Sequence, residues 1–114
     1  MALLALAIPM IPEKRAQWEQ FVEQLSGTKK SEFNESRRRL GVRERTFHQV
    51  TSHGELVVVT LEGENPGAFM QQFATSDDPF SRWFVEQVKE IHGVDLSQPM
   101  PGPMPRLLVD TGAS

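Results

Sequence analysis

Two stretches of this chain are apolar on consecutive residues, and that constrains the fold more than any other feature. In Leu3–Met10 (LLALAIPM), Leu4, Leu6 and Ile8 fall on one face of an extended chain, and Leu3, Ala5 and Ala7 on the other. In LVVVTL, Leu56, Val58 and Thr60 oppose Val57, Val59 and Leu61. A half-buried strand alternates apolar and polar residues; a strand that does not alternate must be covered on both sides. With 114 residues there is material for one domain and a single modest core, so the chain reads as one domain over 1–114.

Helical signals fall between these strands. Pro12 and Glu13 open a helix in which Trp18, Phe21, Val22 and Leu25 share a face, and Gly27 is expected to close it in a left-handed conformation. Thr28 caps a second, more polar helix with Phe33, Arg37 and Leu40 along a thin inner stripe, Glu35 and Arg39 paired one turn apart, and Gly41 as its stop. Val42–Thr51 and Glu55–Glu62 form a hairpin around Gly54. Asn65-Pro66 and Asp78-Pro79 are matching helix starts, an Asx cap followed by proline in the first turn. They lead Phe69, Met70 and Phe73, then Phe80, Trp83, Phe84, Val88 and Ile91, inward, with Gly93 as the last cap. Prolines recur through 97–105, which predicts an extended arm; Arg106–Asp110 (RLLVD) is a short last strand, and 111–114 a loose tail.

The resulting order, β-αα-β-β-αα-β, predicts an α+β fold of ferredoxin-like plan: a four-stranded antiparallel sheet with all helices on one face. The other face is then apolar and bare. Hiding it against a second copy is the expected solution, so a homodimer is predicted.

In this order of elements, in SRRRLGVRERTF (Ser36–Phe47) and in DPFSRWFVEQVKEIHGVDL (Asp78–Leu96), the chain resembles the dimeric α/β-barrel superfamily. More narrowly, it is similar to small bacterial members of unassigned function related to antibiotic-biosynthesis monooxygenases. The superfamily spans cofactor-free monooxygenases, haem-degrading enzymes, cyclases, isomerases and members without known activity. The resemblance implies a fold and a dimer, and carries no catalytic motif residue for residue.

The residues bearing chemistry have two readings each. His48 shares a strand face with Thr46 and Val50; it is either a general acid or base, or a half-buried histidine satisfied by its neighbours. His92, just before Gly93, either lines a substrate site or simply complements a helix C-terminus. His53 sits in the hairpin turn. Lys29, Lys30, Arg37, Arg38, Arg39, Arg43 and Arg45 form a basic run that gathers an anion or is a solvated face balanced by Glu32, Glu35 and Glu44. Arg43, Arg45, Phe47 and Gln49 share the face opposite His48. If that face lines the barrel, Arg45 needs a partner such as Glu44 of a second copy or a ligand carboxylate.

The expectation for an enzyme is a flat aromatic or apolar substrate lined by Arg45, Phe47, Trp83 and His92, with His48 as the catalytic group, undergoing oxygen insertion, cyclisation or isomerisation. The alternatives are a non-catalytic binding protein and a purely structural dimer. No metal or cofactor is expected: histidine spacing gives no ligand motif, and there is no cysteine. Haem would need His48 or His92 as its axial ligand, and nothing selects for it. A formal charge of −3 argues against nucleic acid or anionic membrane as partner. No Lys or Arg precedes the first apolar run, and Pro9 and Pro12 interrupt it. It reads as a strand rather than a signal peptide, and the absence of cysteine suits a cytoplasmic location.

Overall fold

The computed structural model describes residues 2–98 and 104–112. Three strands, β1 (Ala2–Pro9), β2 (Val42–Thr51) and β3 (Gly54–Gly63), form an antiparallel sheet in the order β1-β3-β2. Four helices, α1 (Arg15–Ser26), α2 (Lys30–Arg39), α3 (Pro66–Ala74) and α4 (Pro79–His92), complete an α+β fold.

Register sets the two faces of the sheet. Leu6, Val59 and Thr46 lie side by side across the three strands, as do Ile8, Val57 and His48. On this inner face Leu6, Val57 and Leu61 join the core with Trp18, Phe21, Phe69, Phe73, Phe84 and Ile91 from the helices. The other pleat brings Ala7, Val58 and Phe47 together, with Ala5, Thr60 and Arg45 in the next row. Leu3 and Phe47 are exposed there. The apolar runs thus mark the strands as expected, but among the described residues the helices cover the inner face and leave Leu3 and Phe47 of the outer one exposed.

The expected fourth strand is corrected. Arg106–Asp110 carries no strand pairing, and Leu107, Leu108 and Val109 are exposed. Five residues laid on the edge of β1 would put alternate side chains on the bare outer face, so pairing would shelter only half of them. Met104, by contrast, packs against the core. Pro99, Pro101 and Pro103 of the expected arm lie outside the described residues.

Helix ends follow side-chain chemistry where an Asx cap is present. Asn65 Oδ1 accepts from Ala68 N at 3.1 Å, and Asp78 Oδ2 from Ser81 N at 3.0 Å. Gly41, Gly54 and Gly93 take positive φ as expected, and Gly93 closes α4 in the left-handed region. Three other expected ends shift. Pro12 and Glu13 form a turn with Glu13 at φ 72°, so α1 begins at Arg15. Gly27 lies at φ −125° and is not left-handed; Lys29, not Thr28, precedes α2, without a side-chain cap. Neither start offers an acceptor at the right offset, and interior packing of Trp18, Phe21 and Phe33 decides where these helices run. Arg39 reaches Asp78 at 3.5 Å rather than Glu35, which Arg38 takes.

Candidate functional site

Between the inner sheet face and the helices lies a cavity of about 560 Å³. Its exposed lining residues, among them Glu19, Val22, Lys30, Asn34 and Thr46, belong to α1, α2 and β2, so the mouth opens between these elements. Its inner end is walled by buried Leu61, Phe69, Phe73 and Phe84. Away from the polar residues at the mouth, the wall is mainly aromatic and aliphatic, and polar groups enter at two places.

The first polar group is at the inner end. Period two along β2 places Glu44 on the face of Thr46 and His48, pointing at α2. There Arg37 Nε donates to Glu44 Oε1 at 2.7 Å, and both side chains are 7% exposed. Arg37 Nη1 donates to Ser36 Oγ at 3.0 Å. The guanidinium carbon is 4.9 Å from the Phe33 ring centre, 5.0 Å from Phe69, 4.6 Å from Phe73 and 4.8 Å from Phe84. Burial pushes the Arg37 guanidinium below its ordinary pKa, and the adjacent Glu44 carboxylate offsets part of that. Arginine stays charged even so, because its unperturbed value is so high. The aromatic faces stabilise it as a cation.

The second group surrounds Trp18. The buried Trp18 ring lies 5.9 Å from His48 and 6.4 Å from His92, so both histidines pack on one indole. His48 Nε2 is 2.8 Å from Glu55 Oε1, across the β2–β3 hairpin, and Arg15 Nε reaches the same oxygen at 3.3 Å. In neutral His48, Nε2–H donates to this carboxylate and Nδ1 keeps a lone pair. Although its edge-strand backbone is open, the His48 side chain is only 25% exposed.

His92 Nδ1 lies 2.9 Å from the Pro9 carbonyl. That carbonyl can only accept, so Nδ1 carries the proton and Nε2 is the free acceptor. Burial lowers the His92 pKa, against an opposing contribution from the Pro9 carbonyl. The site therefore holds a carboxylate-oriented imidazole and a second, neutral imidazole of fixed tautomer. Imidazoles held in this way can pass a proton to or from a ligand that lies within hydrogen-bond reach.

Of the residues singled out from sequence, His48 and His92 line this cavity together. Arg45 and Phe47 are on the opposite side of the sheet, where Arg45 Nη2 meets Glu62 at 3.6 Å and Phe47 is exposed. Trp83 stands outside the lining, between Phe21 and Phe80 and beneath Lys29 Nζ at 4.6 Å. His53 is in the exposed turn, away from the cavity.

Arg37, Glu44 and Trp18 also line the cavity: the sequence offers Arg37 as part of an anion-gathering run and Glu44 as an acidic partner, but names none of the three as lining the site. The signal for two of them was present: Arg37 falls on the inner stripe of α2, and alternation along VRERTFHQ puts Glu44 with His48. Among the described residues no three His, Asp or Glu side chains converge as a metal-binding group. No helix there is long and apolar enough to cross a membrane. No protein-family model, curated protein or solved structure matches this chain.

Proposed function

We propose that this chain is a small-molecule-binding protein whose ligand, flat and aromatic or otherwise apolar, occupies the cavity between sheet and helices. The observation that carries this reading is the cavity itself: about 560 Å³ inside a 114-residue chain, lined mainly by carbon, with a few polar groups converging on it. Ligand sites run from about 300 to 1,000 Å³ with that kind of lining.

The resemblance of Ser36–Phe47 and Asp78–Leu96 to the antibiotic-biosynthesis-monooxygenase group supports a cofactor-independent, monooxygenase-like, cyclase or isomerase reaction of bacterial secondary metabolism in the cytoplasm. His48 is then the acid–base group, with Glu55 orienting it and His92 beside the ligand. One observation favours binding without chemistry instead. Arg37, His48 and His92 each already have a protein partner, which suits a site built to hold its guest still. A His48→Ala protein that stays folded decides between them. Turnover of an identified substrate lost by about 10²-fold or more supports His48 as acid or base; full turnover removes that role.

A homodimer formed through the outer sheet face belongs to the same proposal. Leu3 on β1 and Phe47 on β2 are exposed there, and Leu107, Leu108 and Val109 add exposed apolar surface elsewhere on the chain. An isologous contact needs one patch to carry both charge signs, and Arg45 with Glu62 meets that need at the margin of Phe47. The second copy is the occupant that this self-complementary, apolar-centred face fits.

A further inference from the structure

His92 lines the cavity with its ring already fixed. Nδ1–H donates to the Pro9 carbonyl at 2.9 Å, so a second proton can go only to Nε2. The Trp18 indole meets the ring edge-on, with centres 6.4 Å apart. Val88, one turn earlier on α4, and Leu96 line the same cavity in carbon. Taking that second proton makes the imidazole a cation at a carbon-rich wall.

The charges around it do little for such a cation. β1 (Ala2–Pro9) has no ionisable side chain, and among the described residues no ion pair includes His92. On α1, Arg15 is paired with Glu19 at 3.5 Å and with Glu55 of β3 at 3.3 Å. Glu55 also takes His48 of β2, the other imidazole on Trp18. Glu13 and Lys14, in the turn after β1, form no ion pair among the described residues. Lys89, in the same last turn of α4, carries the same sign, and Asp95 is engaged by the amide and hydroxyl of Ser97. The C-terminal end of α4 favours positive charge, yet burial holds the His92 pKa below its ordinary value.

A guest in the cavity tips this balance further. Filling the space removes water from around the imidazole, and a cation loses far more by that than a neutral ring does. An uncharged guest gives nothing back. Guest and second proton therefore compete without having to touch, and by linkage each weakens the other by the same factor.

Resting on the ligand-binding reading, we propose that His92 couples the cavity to pH: its neutral form admits an uncharged apolar guest, and protonation at Nε2 drives the guest out. Because the guest prefers the neutral ring, its affinity is full above the His92 midpoint of the free chain, which lies below 6.5, and is lost as pH falls through it.

Naphthalene is the probe: it has no charge and no hydrogen-bonding group, so any pH dependence belongs to the protein. In ¹H–¹³C NMR of the full chain, the His92 midpoint is expected at least about 0.5 lower at saturating naphthalene than without it, which is about threefold in affinity. Equilibrium dialysis at pH 7.5 and at about one unit below the free midpoint should show binding at least about twofold weaker at the lower pH. His92→Asn, whose amide still donates to the Pro9 carbonyl, should lose that dependence. A His92 midpoint unmoved or raised by naphthalene overturns the inference, as does the same acid-side loss in His92→Asn; either leaves the cavity standing as a ligand site. Naphthalene bound at neither pH removes the ligand-binding reading and the inference with it. Should His92→Asn not fold, the comparison of midpoints on the unaltered chain decides alone.

Discussion

Arg37 and Glu44 form a buried ion pair at 2.7 Å that ties α2 to β2, under four phenylalanine rings. They are seven residues apart, joined by the turn at Gly41, so the pair locks the helix-to-strand crossover where the cavity begins. Removing one partner leaves a charge stranded in an aromatic shell. Glu44→Leu is expected to cost about 3–5 kcal/mol in urea unfolding. Arg37→Met added to it should recover most of that loss, since the double change strands no charge. Equal, additive losses in the two single variants and their combination would mean the pair contributes by packing alone.

His92 gives stability a defined pH dependence. Its folded pKa is held below the ordinary 6.5 by burial. Below that pH the unfolded chain binds a proton that the native chain resists. The contribution is therefore present above about pH 6.5 and is lost as pH falls toward the folded value. His92→Asn keeps a donor to the Pro9 carbonyl but does not titrate. Urea midpoints at pH 7.5 and 5.5 should fall further for the unaltered chain than for His92→Asn, and a ¹H–¹³C NMR titration should place the His92 midpoint below 6.5. A midpoint above 6.5 would reverse the sign.

Asp78 caps α4 and accepts from both the backbone and the hydroxyl of Ser81, which is fully buried. Asp78→Ala should cost about 1–2 kcal/mol, because it removes a cap and leaves that hydroxyl unpaired. Burial nudges the Asp78 carboxyl upward, but the Ser81 bonds and Arg39 outweigh it and hold the group below the usual carboxylate range. Its charge-dependent contribution is thus full above about pH 4 and is lost as acid protonates it. Thermal unfolding at pH 7 and pH 3 should show the gap between Asp78→Ala and the parent narrowing at the lower pH.

Phe47 is more than half exposed on the outer sheet face, on edge strand β2 beside Val58. Phe47→Asp should leave the fold intact and shift the assembly from dimer to monomer in sedimentation velocity. A dimer that persists in Phe47→Asp, or a parent chain that is monomeric at millimolar concentration, removes the proposed interface.

What the sequence disclosed depended on how local the deciding physics is. The caps at Asn65 and Asp78 and the stop at Gly93 are short-range and appear where the residues put them. The apolar runs around Leu6 and Val57 located two strands, because burial of a strand is written in its own composition. RLLVD failed as a strand because its own pattern cannot say whether an edge with a covered face awaits it. His48 on the cavity face and Phe47 on the opposite one follow from period two. Which face the helices cover is a tertiary fact, and that is why Arg45 and Phe47 were grouped with His48. Helical spacing already puts Arg37 on the inner stripe of α2, apart from Arg38 and Arg39 at the surface; that it meets Glu44 there is a tertiary fact.

The central claim is that the space beneath the inner sheet face is a ligand site. Methyl-resolved NMR during titration with 2-acetonaphthone tests it most directly. Resonances of Val57, Val59 and Leu61 should move with saturation, while those of Val58 and Leu3 on the other face stay in place. Shifts confined to Val58 and Leu3, or none at any concentration the probe allows, would contradict it.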